Sequence, residues 1–389
     1  MALFTSKNIN AEVIIQSSSS LIVNLLGLFT VGNIFTIVTK KDVFKKYPMI
    51  LMFTCLLNFK GNIGLIFIIY INKYKNTLLS QSEYYMRVFY NSNLLIFKSI
   101  IIGTVTGIVG ILYNICRGYN DYNLNIKMIL IPTFSSCIAS LLFIITLLIV
   151  LELISYFNLE TENIVMPFLS AITDLIEILF LKEFIEYFDK TDMDMMILIS
   201  FFCLCITLIV SYYSFSDNTI IPRESLLGLT TSTCISIISG LIVEKLSENF
   251  TFISSIYPFF SGMSLSIALI FLHRNFSTNY SNISTDPLMN TLLFISLLMG
   301  FLFIILSNFG IFTFSSFFMI LFIGGFVLTT YLMIICITFF INGIKDEVKH
   351  IEIYSLPMLN ILSDINSIII LLIISYIQKY SNIIYKIIY

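Results

Sequence analysis

Asn163-Ile-Val-Met-Pro167-Phe-Leu-Ser170-Ala-Ile-Thr-Asp174-Leu-Ile-Glu177 and Tyr354-Ser-Leu-Pro357-Met-Leu-Asn360-Ile-Leu-Ser-Asp364-Ile-Asn-Ser367 are two apolar stretches built on one pattern. Each places a proline seven residues before an aspartate and a small polar residue four before it. A carboxylate at membrane depth costs about 2.5–3.5 kcal/mol on insertion scales, so it is retained where it has a task. Two such acids in matching patterns suggest a two-fold site, and a cation is the guest that suits it.

The rest of the chain places these stretches in a membrane. Of 389 residues, 58% are hydrophobic and 11% charged, a balance no soluble domain of this size carries. The fold class expected is all-α: a polytopic helical membrane protein. Trp is absent, so the 21 Tyr must supply any aromatic belt. A net charge of −2 gives no reason to expect nucleic acid as a partner. The polar N-terminal tail, residues 1–20, lacks the progression of a cleavable signal, and the first apolar run reads as a signal anchor.

Eleven apolar runs of spanning length are expected, near residues 21–38, 47–71, 94–115, 128–151, 164–187, 195–214, 226–243, 252–272, 289–308, 312–341 and 353–378. The tenth is long enough to tilt or to bend at Gly324-Gly325. The runs group as five, one and five. The first five-helix repeat covers 21–188, a linking transmembrane helix 195–214 follows, the second repeat covers 226–378, and 379–389 is a short tail. The fifth helix of each repeat carries the proline–aspartate pattern. The second helix of each carries a polar interruption, Asn58-Phe-Lys60-Gly61-Asn62 and Pro258-Phe-Phe-Ser261-Gly262-Met-Ser264-Leu-Ser266, which reads as a broken helix lining a cavity. With one extra helix between two odd-numbered sets, the halves share an orientation, like a parallel dimer fused into one chain able to work as a monomer. The distribution of Lys and Arg does not fix which side faces the cytoplasm.

The candidate chemistry is all oxygen. Ser170, Asp174 and Glu177 share one helix face, as do Asn360, Asp364 and Ser367. Pro167 and Pro357, as helix breaks, would each release a backbone carbonyl beside the acid. Carboxylate, amide, hydroxyl and carbonyl groups suit hard cations such as Mg²⁺, Ca²⁺ or Mn²⁺. The competing reading pairs the acids with Lys60 and Lys98 in structural ion pairs. Glu177 is open to three roles: second ligand, proton carrier, or partner of Lys98. Glu183, Glu186, Asp189, Asp192 and Asp194 form an acidic stretch that reads mainly as solvated. Gly103, Gly107 and Gly110 mark a close helix contact, and the seven cysteines read as packing residues without metal-ligand spacing. His273 and His350 have no metal or catalytic partner nearby. No nucleophile motif, phosphate loop or dinucleotide fingerprint is present, so the chain does not read as an enzyme, and no prosthetic group is expected.

These residues resemble the MgtE-type magnesium transporters and their eukaryotic solute carrier family 41 relatives. Glu162, Asn163, Ile164, Pro167 and Asp174 match the acid, Asn, Ile, Pro and Asp of the family's first-half motif at the same spacing. Pro357 and Asp364 match the second copy, Lys60-Gly61-Asn62-Ile63 looks like a further first-half motif, and Pro258 and Arg274 fit the second half. The resemblance implies a solute carrier for Mg²⁺ or a related divalent cation in the lipid bilayer, with Asp174 and Asp364 as metal ligands in a pathway between two pseudo-symmetric halves. The leading reading of the residues adds Asn163, Ser170, Asn360 and Asn62 as secondary ion-pathway residues, with Glu177 and Ser367 as further candidates on the same helix faces. The chain departs from the family at Thr173 and Ser363, which replace glycine, at Gly64, which replaces an acid, and at Ser264-Leu265-Ser266, which loses an amide. The alternatives are a proton-coupled small-solute carrier, or a non-transporting scaffold or receptor.

Overall fold

The computed structural model describes all residues except 1–4, 59–66, 68–80, 120, 158–160, 215–222, 251, 278–284, 310–314, 345–350 and 389. The described chain is helical: α1 (Thr5–Thr39), a short 3₁₀ turn (Phe44–Lys46), α2 (described over Met49–Asn58), α3 (Gln81–Cys116), α4 (Tyr122–Phe157), α5 (Thr161–Asp189), α6 (Met193–Ser214), α7 (Arg223–Asn249), α8 (Ile253–Ser277), α9 (Thr285–Phe309), α10 (Ser316–Ile344) and α11 (Ile351–Ile388). Eight of these, α1, α3, α4, α6 and α8 to α11, contain a stretch long and apolar enough to cross a membrane. The protein is an all-α multi-pass membrane protein. The expected linking helix at 195–214 is α6, which is apolar over its whole length and largely exposed, as a lipid-facing helix is. The expected span in α2 falls partly on residues outside those described, and in α5 and α7 the side chains up to Ser170 and Thr230 are not described; these three helices are not among the eight.

The chain forms two compact units, and they cut across the sequence halves. Unit 1 consists of Met1–Thr36, Leu153–Ile172 and Lys245–Tyr389, and unit 2 of Ile37–Glu152 and Thr173–Glu244. Most of α1 thus falls in one unit with α8 to α11, whereas most of α7 falls with α2, α3, α6, most of α4 and the later part of α5.

The same positions make both contacts. In unit 1, Gly32 of α1 lies so close to the Ser255 carbonyl of α8 that a Cβ would strike it. Thr36 bonds the Ser255 hydroxyl at 2.6 Å, and Leu28 lies over Gly262. In unit 2, Gly240 of α7 meets Leu51 and Thr54 of α2, Glu244 accepts from the Leu51 N–H at 3.0 Å, and Ser236 accepts from Asn58 at 2.9 Å. One shift of 208 positions carries Leu28, Gly32 and Thr36 onto Ser236, Gly240 and Glu244; a shift of 204 carries Leu51 and Asn58 onto Ser255 and Gly262. Small residues let the backbones meet, and hydroxyl or carboxyl groups satisfy what that close approach buries.

Unit 1 centres on α8, which is buried on every side between Ile253 and Leu272 and packs against α9, α10 and α11. Phe259, fully buried, stands among Phe303 at 4.2 Å, Phe326 at 4.6 Å and Phe322 at 5.6 Å between ring centroids. Offset and tilted aromatic pairs of this kind add to the apolar burial. The expected break at Pro258 does not occur: α8 runs unbroken through it. Proline removes one rung of the ladder, and packing on all sides holds the remainder. α10 likewise runs as one helix through Gly324 and Gly325.

In unit 2 the expected glycine contact is present. A Cβ on Gly103 would meet Thr133 Cα at 2.7 Å, one on Gly107 would meet the Met128 carbonyl at 2.5 Å, and Gly110 lies near Met128 and Met52. Ser136 bonds the Ser99 carbonyl at 2.9 Å, and Ser140 the Ser99 hydroxyl at 2.6 Å, along the same α3–α4 seam.

Candidate functional site

Asp174 stands on the part of α5 that belongs to unit 2, and Asp364 on α11 in unit 1. Both are buried, at 5% and 1% exposure. The helices continue through Pro167 and Pro357, so neither proline ends its helix; one lost N–H is tolerated inside a long packed helix.

The surroundings of the two acids differ. Asp364 Oδ1 accepts from the Tyr257 hydroxyl at 2.9 Å and the Ser261 hydroxyl at 2.7 Å, both on α8. Residues 257 and 261 are one turn apart, so their side chains meet α11 on one face. A second layer of hydroxyls locks the two helices: Ser363 donates to the Ser261 carbonyl at 2.7 Å and lies 3.0 Å from Ser264. Asn360 and Ser367 are buried on the same helix one turn to either side, and the Ser367 hydroxyl has no hydrogen-bond partner among the described residues. Asp174, by contrast, takes no hydrogen bond and no ion pair from any described residue.

Glu177, fully buried, accepts from Ser135 of α4 at 2.8 Å. The expected pairing with Lys98 is not made: Lys98 is half-buried on α3 and forms no ion pair with a described residue. Lys60, Asn62 and the side chains of Asn163, Ser170 and His273 lie outside those described, as does His350.

The acidic stretch proves to be partly paired. Lys41 bonds Glu186 at 2.8 Å, Lys182 bonds Glu183 at 2.9 Å, and Lys46 lies 3.7 Å from Asp189. Lys127 caps the carbonyl of Asp189 at 2.9 Å, a cation at a helix C-terminus. Beside it, in the exposed turn after α1, the Lys45 hydrogen bond and charge hold the Asp42 carboxyl below its usual range. All seven cysteines are free, and Cys55 and Cys137 are buried as packing residues. Among the described residues, no three His, Cys, Asp or Glu side chains converge as a metal cage.

Sequence reading singled out both aspartates but missed Tyr257, and it read Ser261 as cavity lining. The available signal was two hydroxyl residues one turn apart beside Pro258. Comparison with known proteins finds no matching family model, curated protein or solved structure, so the resemblance to magnesium transporters rests on the quoted residues alone.

Proposed function

We propose that this protein carries a divalent cation, Mg²⁺ foremost, across a membrane, with Asp174 and Asp364 as carboxylate ligands. The observation that carries this reading is Asp174: a buried carboxylate in an apolar helix with no donor or cation from any described residue. Such a group is costly if it stays empty and charged, and a passing cation relieves the cost. Asp364 is the carboxylate at the position that the sequence pattern matches to Asp174. Mg²⁺ keeps most of its water and is held by one or two carboxylates. Glu177, Asn360 and Ser367 supply further oxygens near these acids.

The test is Mg²⁺ flux into liposomes that hold the purified full-length protein, compared with Asp174→Asn and Asp364→Asn. The expected outcome is flux in the wild type that either substitution abolishes while the protein still elutes as a single folded species. Wild-type protein that carries no Mg²⁺ under any gradient refutes the proposal. Uptake of a small solute driven by a pH gradient alone, and indifferent to Mg²⁺, would point to a proton-coupled carrier instead.

A further inference from the structure

We propose that α3 and α6 together present a phospholipid-facing surface held at two headgroup layers by tyrosines, with Tyr85, Tyr90, Tyr212 and Tyr213 in one layer and Tyr119 and Tyr122 in the other. The inference concerns how the protein sits in its bilayer and does not depend on which solute crosses.

α3 and α6 both belong to unit 2 and pack against each other. Tyr213, near the end of α6, meets Phe89 and Tyr90, near the start of α3, at 5.4 and 6.4 Å between ring centroids. The two helices therefore run antiparallel. Their shared end also carries Tyr84 against Tyr85 at 5.6 Å and the Arg87–Glu83 ion pair at 3.0 Å. Tyr85 and Phe89 are exposed there, and Tyr212 is 79% exposed. At its other end α3 closes in a left-handed turn at Gly118, φ 84°, with the Tyr119 N–H on the Asn114 carbonyl at 2.9 Å. That turn sets the Arg117 guanidinium over Tyr113 and Tyr119, at 5.5 and 5.9 Å, and leaves Tyr119 and Tyr122 exposed. Rings with an apolar body and a polar tip, standing beside charges, suit a membrane–water boundary.

The spacing of these ends fits a bilayer on both helices. From Tyr90 to Tyr113 α3 rises about 35 Å, and from Asp194 to Tyr213 α6 rises about 29 Å, at about 1.5 Å per residue. The hydrocarbon core is about 30 Å thick. Between the two ends the exposed side chains are apolar, among them Ile108 and Leu112 on α3 and Phe201, Leu204 and Leu208 on α6. Lys98 lies within the stretch and is half-buried. A helical lysine leans toward the N-terminus of its helix, here back toward the Tyr90 layer.

The same surface disfavours a second copy as the occupant. Helices that meet in a membrane use small residues and hydrogen bonds across the contact. α6 contains neither Gly nor Ala, and its small residues Ser200, Cys203 and Thr207 lie on its half-buried side. Its hydroxyls serve its own backbone: Ser200 donates to Met196, Thr207 to Cys203 and Ser211 to Leu208, at 2.7–2.8 Å. What faces outward is large and apolar, which acyl chains cover without a fitted contact.

The chain contains no Trp, so Tyr212→Trp, Tyr119→Trp and Leu204→Trp each give the full-length protein a single indole at an exposed position. Each variant is reconstituted in phosphatidylcholine vesicles whose acyl chains are brominated either near the headgroup or near the chain end, and quenching is compared. Leu204→Trp, at the middle of α6, should be quenched most by the deep bromines and should emit to the blue. Tyr212→Trp and Tyr119→Trp should be quenched most by the shallow bromines and should emit further to the red. Phe201→Trp serves as the deep probe if Leu204→Trp does not fold. A deep probe that escapes bromine at every depth means that protein covers α6, and the inference falls. Tyrosine positions quenched as deeply as Leu204 overturn the two layers.

Discussion

Gly32→Ala should destabilise the protein, whereas Gly324→Ala should stabilise it, although both add the same methyl group to the same kind of helix interior. Alanine in place of glycine gains about 0.5–1 kcal/mol in a helix, from the smaller backbone entropy lost on folding. At Gly324 a Cβ meets nothing within 4 Å, so that gain should appear nearly whole. At Gly32 the new Cβ would strike the Ser255 carbonyl oxygen, with the Ser255 carbonyl carbon at 3.2 Å and Cα at 3.4 Å. The obstruction is backbone and cannot rotate away. α1 and α8 must part, which strains the Thr36–Ser255 hydrogen bond at 2.6 Å on the next turn. Overpacking of this sort costs about 1–3 kcal/mol. After the helix gain is subtracted, the net loss at Gly32 is up to about 2.5 kcal/mol. Gly325→Ala should fall between the two, because its obstructions are the flexible tips of Ile374 at 2.7 Å and Ile370 at 2.9 Å. Unfolding in detergent, followed by a thiol-reactive dye as buried Cys55 becomes exposed, gives the order of apparent Tm. Equal stability of Gly32→Ala and Gly324→Ala would refute the close approach of α1 to α8.

Phe259→Ala should cost about 3–5 kcal/mol, because it removes a fully buried ring from the aromatic cluster of α8, α9 and α10. The same unfolding assay reads it, and a loss below 1 kcal/mol would contradict the packing. Asn58→Ala and Ser236→Ala should each cost little, and a double-mutant cycle should give a coupling of about 0.6 kcal/mol, typical of hydrogen bonds between membrane helices. No coupling would mean that α7 does not pack on α2 in this register.

Much of the fold was legible because hydropathy and length are nearly sufficient for a membrane helix. α4, α6 and α9 emerge close to the expected runs, and the Gly103–Gly107–Gly110 seam forms where its spacing said it should. The broken helix at Pro258 was misread, because serines in an apolar run look like cavity lining. In the fold Ser266 bonds the Gly262 carbonyl of its own helix, and Ser264 and Ser261 face α11. The competing ion pair with Lys98 was wrong for a related reason: a buried acid can be satisfied by a hydroxyl, as Glu177 is by Ser135, and a list of charges does not show that. Asp174 and Asp364 were found from their pattern, yet the pattern presented them as equals. The donors that set Asp364 apart lie on α8, far away in sequence.

Composition and hydropathy determined that the chain enters a membrane as helices, and the proline–aspartate pattern picked out two acids in apolar stretches. They could not determine which helix packs with which. Lipid is as apolar as a leucine face, so hydropathy does not distinguish a helix turned to the bilayer from one turned to its neighbour. Partner choice is made by close approach and by the few polar groups that approach buries. Gly32 and Thr36 fit Ser255, whereas Gly240 and Glu244 fit Leu51, so α1 joins the later helices and α7 the earlier ones. Tertiary packing of α8 on α11 likewise brings Tyr257 and Ser261 to Asp364, which no local sequence pattern around Asp364 specifies.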